Sequence, residues 1–157
     1  MLQLLVLIIV ANSAPVVARN LLGERWKSAI DHGAVFVDRR PILGNSKTWR
    51  GLVAACIACS VAAPTMGLPY QVGLAAAALT MCGDLLASFT KRRLGYEPSS
   101  QSLLLDSVPE ALLPAICLRA TFAMSWLEVI ASVVLFMTIV RLTSPLLYRL
   151  RIRRRPW

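Results

Sequence analysis

Long apolar segments are the feature of this sequence that most limits its possible folds. They occupy residues 2–18, 51–67, 69–89, 103–122 and 125–147. A helix needs about 20 apolar residues to cross the hydrocarbon core of a bilayer. Hydrophobic residues make up 57% of the chain, whereas soluble domains contain about 45–50%. We therefore expect an all-α, polytopic membrane protein, a single integral membrane domain over residues 1–157 with about five transmembrane helices.

Basic residues are concentrated in some of the connections between these segments. The chain has 17 Lys and Arg against 8 Asp and Glu, a net charge of +9. The long first loop contains seven of these bases, namely Arg19, Arg25, Lys27, Arg39, Arg40, Lys47 and Arg50, whereas the joint at 67–69 has none. By the positive-inside rule, we expect this loop, the loop after residue 89 and the basic tail at 149–157 in the cytoplasm, with the N-terminus outside. Bases between apolar runs favour anionic membrane lipids or phosphates as partners, in the plasma (inner) membrane, and no nucleic acid.

The third segment ends in a polar stripe that begins with an acid and ends with bases. Asp84, Ser88 and Lys91 follow the i, i+4, i+7 spacing of one helix face, and Arg92 lies beside them. Asp84 lies roughly 10 Å below the basic residues along the helix axis. An ionisable residue at that depth is costly and marks a candidate functional site. The alternative is that Asp84 is only the internal counter-ion of a nearby Lys or Arg.

The first loop contains two local patterns. The spacing of apolar residues at 21–30 predicts a short helix lying at the membrane interface. Further on, a turn signal at 44–46 is followed directly by Lys47, Thr48 and Arg50, where the next helix begins. A helix N-terminus offers free backbone N–H groups to a phosphate, and Lys and Arg add positive charge. The alternative is an ordinary cytoplasmic loop that is basic only because of the positive-inside rule.

Polar residues also interrupt the first and fourth segments. Asn12 and Ser13 precede Pro15, so they either satisfy carbonyls freed by a proline kink or form a polar notch that faces a site. Asp106 and Glu110 are four residues apart, and the run from Ser107 to Glu110 matches a capping box. We therefore interpret Glu110 as a helix cap and Asp106 as a candidate site residue.

Together these residues provide carboxylates for a divalent cation and several Lys and Arg for phosphates, with no obvious protein nucleophile. Phosphoryl and nucleotidyl transfer depend mainly on positioning and on charge neutralisation. Mg²⁺ is the metal that suits one or two carboxylates plus substrate phosphates. A small binding or transport protein for anionic lipid is the rival interpretation, because it would use the same basic rim.

Four motifs in order carry a resemblance to a known family. They are Asn12-Ser13-Ala14-Pro15, the run from Asp38 to Gly51 with its Lys-Thr-Trp-Arg-Gly, the run from Gly83 to Arg92, and Leu105-Asp106. In these motifs the chain resembles the CDP-archaeol synthase family, as a bacterial-type member, and that family is related to the phosphatidate cytidylyltransferases. The resemblance implies a five-helix membrane nucleotidyltransferase that joins CTP to a lipid phosphate and releases pyrophosphate, with Mg²⁺ as cofactor. A homodimer is compatible with this interpretation.

The resemblance also implies roles for individual residues. Asp84 and Asp106 would hold the metal and, with Lys91 and Arg92, carry catalysis. The nucleotide would be bound by Lys47, Thr48, Arg50 and Ser88, and the lipid end of the site would be lined by Asn12, Ser13, Asp38 and Arg40. Pro109, followed by Glu110, stands where many members have a second Asp. This departure leaves the number of metals open, and the acyl or isoprenoid nature of the lipid does not follow from the sequence. A member that has lost catalysis and only binds lipid is the remaining alternative.

Overall fold

The computed structural model describes residues 1–97 and 102–149, and the regular elements in these ranges are all α-helices. They are α1 (Leu2–Leu22), α2 (Trp49–Thr65), α3 (Tyr70–Arg93), α4 (Leu103–Cys117) and α5 (Trp126–Arg149). The predicted all-α class is confirmed. Within the described ranges, three helices, α1, α3 and α5 as far as Pro145, are long and apolar enough to cross a membrane, and α2 is a shorter apolar helix of 17 residues.

Several helix ends differ from the prediction by one to five residues, and two of these differences change the connections that follow. α1 continues to Leu22, and the chain then turns at Gly23, whose φ of 55° suits glycine. The predicted interfacial helix at 21–30 is therefore wrong, because its first residues belong to α1 and residues 23–26 form a turn. α4 ends at Cys117 instead of residue 122, and the Met124 N–H closes the following turn on the Arg119 carbonyl at 2.9 Å.

α3 is the central helix, and two glycines let its neighbours approach closely. A Cβ on Gly73 would lie 2.2 Å from the carbonyl oxygen of Cys59 in α2. A Cβ on Gly83 would lie 2.2 Å from the carbonyl oxygen of Pro109 in α4. Small residues at such crossings allow membrane helices to pack backbone against backbone. The expectation that the small-residue segment forms the buried, central helix is thus confirmed.

Apolar residues form a buried core on some helix faces and an exposed stripe on others. Leu4, Leu7 and Ile8 of α1 pack with Phe136 of α5 in a fully buried cluster. On α2, by contrast, the i, i+4, i+8 residues Val53, Ile57 and Val61 are all exposed. Such an outward apolar stripe is what a helix presents to lipid, because lipid is as apolar as the side chains.

The loop from 23 to 48 is folded by its own hydrogen bonds. The Ile30 N–H donates to the Lys47 carbonyl at 2.9 Å, which closes the base of the loop. The Asp31 carboxylate accepts from the backbone N–H groups of Gly33, Leu43 and Gly44 at 3.2, 2.9 and 2.8 Å. Burial would raise the pKa of Asp31, but these hydrogen bonds outweigh it and the pKa is lowered. Asp31 is therefore the ionised centre around which the loop is organised.

Candidate active site

A polar cluster forms where α1, α3, α4 and the first loop meet. The Lys47 Nζ lies 2.5 and 2.6 Å from the two carboxylate oxygens of Asp84. The Asp84 carboxylate lies beside that of Glu110, and the Asn12 Nδ2 donates to Glu110 Oε2. We call these four residues, Asn12, Lys47, Asp84 and Glu110, the central cluster. It joins an amide, an ammonium group and two carboxyl groups within the helix bundle.

Local backbone features explain why these side chains meet. Thr48 is the N-cap of α2, and its Oγ1 accepts from the Gly51 N–H at 3.3 Å. A capping residue in extended conformation fixes the direction of the chain that enters the helix, and Lys47 is the residue just before it. On the other side, Gly83 admits the backbone of Pro109 against α3. This contact brings Glu110 beside Asp84.

A second group of charges lies about two turns further toward the C-terminal end of α3. The Lys91 Nζ lies 2.5 Å from Asp106 Oδ1, and Asp106 Oδ2 accepts from the Ser102 N–H at 3.0 Å. Arg92 is only 3% exposed. Its Nε and Nη1 have no hydrogen-bond partner among the described residues. Buried polar groups are almost always paired, so these guanidinium donors are suited to receive an anion.

The two groups belong to one electrostatic environment. Removal from water would lower the pKa of Lys47, but attraction to Asp84, with contributions from Glu110 and Asp106, raises it. Lys47 is therefore firmly protonated. It carries positive charge toward all three acids.

A small cavity of about 80 Å³ opens onto Lys47 and Asp84. Its apolar walls include Ile30 of the loop, Leu52 of α2 and Leu85 of α3. The cavity therefore joins a charged floor to apolar sides. Binding pockets for small molecules commonly combine apolar walls with a few polar groups in this way.

Several predicted site residues lie elsewhere. The Arg50 Nη1 donates to the carbonyls of Gly23 and Arg25 at 2.8 and 2.6 Å, so the guanidinium secures the end of α1. Ser13 is exposed on α1, whereas Ser88 is buried on the site-facing side of α3. Asp38 and Arg40 lie in a hairpin against the C-terminal end of α3. The predicted basic tail, apart from residue 149, falls outside the described residues.

The interpretation of Glu110 as a helix cap is wrong. α4 begins at Leu103 with Ser102 as N-cap, so Glu110 lies two turns inside the helix and is 6% exposed. It is Asp106 whose side chain reaches back to the N-cap backbone. The signal for Glu110 was its four-residue spacing from Asp106, which puts both acids on one face. Within the described residues, no group of three or more acidic, His or Cys side chains could hold a metal ion.

Known proteins resemble this chain over most of its length. The family model described as "CarS-like: CDP-archaeol synthase" matches residues 1–68 and 65–157. Named CDP-archaeol synthases of Hyperthermus butylicus and Pyrobaculum arsenaticum are 36% and 34% identical to this chain, over 94% of it and over 89% and 92% of their own lengths. A third, from Thermofilum pendens, is 32% identical over 94% of this chain and 76% of its own length.

A solved structure is also similar. It is described as an intramembrane enzyme for archaeal membrane lipid biosynthesis, with a TM-score of 0.71 and 31% sequence identity, over 90% of this chain and 92% of that one. The resemblance noted in the four motifs thus extends over nearly the whole chain. This integral membrane protein belongs to the CarS-like CDP-archaeol synthase family.

Proposed function

We propose that this protein is a CTP-dependent cytidylyltransferase that converts a membrane lipid phosphate into a CDP-lipid and releases pyrophosphate. The observation that carries the proposal is that the central cluster lies beside a cavity with apolar walls, in a chain whose relatives are named CDP-archaeol synthases. The cluster places charge next to apolar walls, the combination that a lipid phosphate requires. The resemblance to a family of lipid enzymes supports the same chemistry.

The Lys and Arg side chains of the site can stabilise the negative charge of the phosphates during the reaction. In the reaction, an oxygen of the lipid phosphate attacks the α-phosphorus of CTP, and the bond from that phosphorus to the bridging oxygen of pyrophosphate breaks. Negative charge grows on the leaving oxygen. Lys47, Lys91 and the unpaired donors of Arg92 are buried or partly buried cations within one site. Fixed cations in a water-poor site stabilise such charge more strongly than water does.

Mg²⁺ is the proposed cofactor, and the donor set fits it. The carboxyl groups of Asp84 and Glu110 lie beside each other, with Lys47 and Asn12 as their partners. A divalent cation can neutralise two neighbouring carboxylates, and Mg²⁺ needs no more than one or two carboxylates besides substrate phosphates. Asp84 and Glu110 are therefore the pair proposed to hold it, in place of Asp84 and Asp106. When bound, Mg²⁺ would neutralise charge on the phosphate oxygens.

An activity assay tests the function directly. Purified protein in lipid nanodiscs would be given radiolabelled CTP, Mg²⁺ and a panel containing phosphatidate and an isoprenoid ether phosphate. We expect a labelled CDP-lipid and stoichiometric pyrophosphate from at least one lipid, and the panel identifies which. An anionic-lipid binder or small transporter would retain lipid but leave CTP intact. If folded protein left CTP intact with every lipid of the panel, the proposal that it is a cytidylyltransferase would be refuted.

We also propose that five helices cross the membrane, with the N-terminus outside and the site on the cytoplasmic side of the plasma membrane. The uneven distribution of Lys and Arg supports this orientation. In a cysteine-free background, single cysteines at Ser46 and Gly67 should react with a membrane-impermeant reagent from opposite sides, Ser46 from the cytoplasm. Labelling of both positions from the same side would contradict the topology.

A further inference from the structure

We propose that two arginines, Arg93 at the end of α3 and Arg40 in the first loop, act as positioning residues that hold Lys47 in place for the reaction. Each arginine binds the segment that carries the other one, and Asp38 accepts from Arg93. We call Arg40, Arg93 and Asp38 the arginine clasp. Neither arginine reaches the central cluster. The inference rests on the proposed function, because Lys47 is taken to act on phosphate.

Arg93 holds the loop from the helix side. Its Nη1 donates to the Asp38 carboxylate, and its Nη2 donates to the Pro41 carbonyl at 2.5 Å. The guanidinium also lies 4.8 Å from the ring centre of Phe36 and 5.1 Å from that of Phe89. A planar fork can make these contacts together, whereas the point charge of a lysine cannot.

Arg40 holds the helix from the loop side. Its Nη1 donates to the carbonyls of Arg93 and Arg92 at 3.1 and 3.4 Å. These carbonyls belong to the last turn of α3, where the helix itself offers no N–H partner, and the Arg92 carbonyl also accepts from the Gly95 N–H at 3.2 Å. Gly95 leaves room for this contact, since a Cβ there would lie 3.1 Å from Arg40 Nη1. The two arginines therefore make reciprocal contacts between one loop and one helix end.

A continuous path of backbone contacts joins the clasp to Lys47. The hairpin that carries Asp38 closes with the Ile42 N–H donating to the Ala34 carbonyl at 3.0 Å. Asp31 then binds the next two N–H groups, at 43 and 44. The Lys47 N–H donates to the Gly44 carbonyl at 3.2 Å. From there the Lys47 side chain returns to Asp84 on α3.

The loop is thus attached to one helix at two levels, Asp84 and Arg93, which lie about 13 Å apart along the axis. The Asp38–Arg93 ion pair is partly exposed, with side-chain exposures of 38% and 20%. An exposed ion pair alone contributes little to stability. The expected contribution of the clasp is therefore to the position of Lys47 more than to the stability of the bundle.

The conservative variant Arg93→Lys tests this role because it keeps the charge and removes the fork. We expect turnover with CTP to fall about 10- to 100-fold, the effect of a small misplacement of a group that acts in the reaction. The matched control is Arg39→Lys, an exposed arginine on the same hairpin, which should keep wild-type turnover. In a Lys47→Ala background, Arg93→Lys should cause no further loss. If Arg93→Lys lowered turnover in that background as much as it does in the parent protein, the proposal that Arg93 acts by positioning Lys47 would be overturned.

A distance measurement separates failure of the clasp from failure of the proposed function. With Cys56, Cys59 and Cys117 replaced, spin labels on the exposed Cys82 of α3 and on Asn45→Cys of the loop report the loop position. We expect a narrow distance distribution in the parent and in Arg39→Lys, and a broad one in Arg93→Lys. A narrow distribution in Arg93→Lys would overturn the clasp even if no lipid were turned over. A broad distribution in Arg93→Lys together with full turnover would show that the arginine clasp has no role in the reaction.

Discussion

Asp84→Asn should lower cytidylyl transfer by about 10²- to 10³-fold, comparable to the loss of a main electrostatic element of an active site. Asparagine keeps the size and hydrogen-bonding capacity of the side chain. It removes the negative charge that contacts Lys47 at 2.5 Å and that is proposed to hold Mg²⁺. Initial rates over a Mg²⁺ titration measure the effect, and the Asp84→Asn protein should require more Mg²⁺ for any residual turnover.

The same variant decides whether Asp84 is only a counter-ion. Removing one partner of a fully buried ion pair destabilises a protein by about 3–5 kcal/mol. The side chains of Lys47 and Asp84 are 22% and 19% exposed, and Glu110 also lies near Lys47, so a smaller loss is expected. Thermal unfolding and turnover should be measured on the same preparation. A protein that is destabilised yet active at low temperature, with unchanged Mg²⁺ dependence, would exclude Asp84 from the site.

Glu110→Gln should be almost as damaging to turnover, by about 10²-fold. The glutamine oxygen can still accept from Asn12, and its amide can donate to Asp84, so both contacts of Glu110 are kept. The thermal unfolding temperature should therefore stay close to that of the parent protein. What is lost is the carboxyl group that is proposed to join Asp84 in holding Mg²⁺. The apparent Mg²⁺ affinity should fall together with the rate.

Asp106→Asn is the matched comparison for that prediction. Asp106 is engaged by Lys91 and by the Ser102 N–H, at the start of α4. If Asp84 and Glu110 hold the metal, Asp106→Asn should change the apparent Mg²⁺ affinity less than Glu110→Gln does. The reverse order would restore Asp84 and Asp106 as the metal pair, as the family resemblance implied.

The predictions that held rest on helix periodicity. The polar stripe from Asp84 to Lys91 could be placed on one face because α3 is regular over this stretch, and both residues do form ion pairs across the site. Lys47 could be placed near a helix N-terminus because a turn signal precedes it. These inferences succeed because helix periodicity and turn formation depend on residues that are close in sequence.

The predictions that failed depend on contacts distant in sequence. The capping-box pattern at Glu110 matched a sequence rule, but the start of α4 at Leu103 decides which residues lie in its first turn. The contacts of Arg50 with the carbonyls of Gly23 and Arg25 could not be predicted either, because they depend on where α1 ends. Asp31 gave no signal, because its partners are backbone N–H groups placed by the path of the loop.

The hydrogen bond between Asn12 and Glu110 joins residues 98 positions apart, and this separation has a consequence for biosynthesis. The chain emerges from the ribosome N-terminus first, so the amide of Asn12 enters the membrane long before the carboxyl group that satisfies it has been made. During that interval the translocation machinery, water or lipid headgroups must solvate the amide. The hydrogen bond between the first and fourth helices can therefore form only after residue 110 has been made, and a nascent chain that stops before it lacks one of the four side chains of the central cluster.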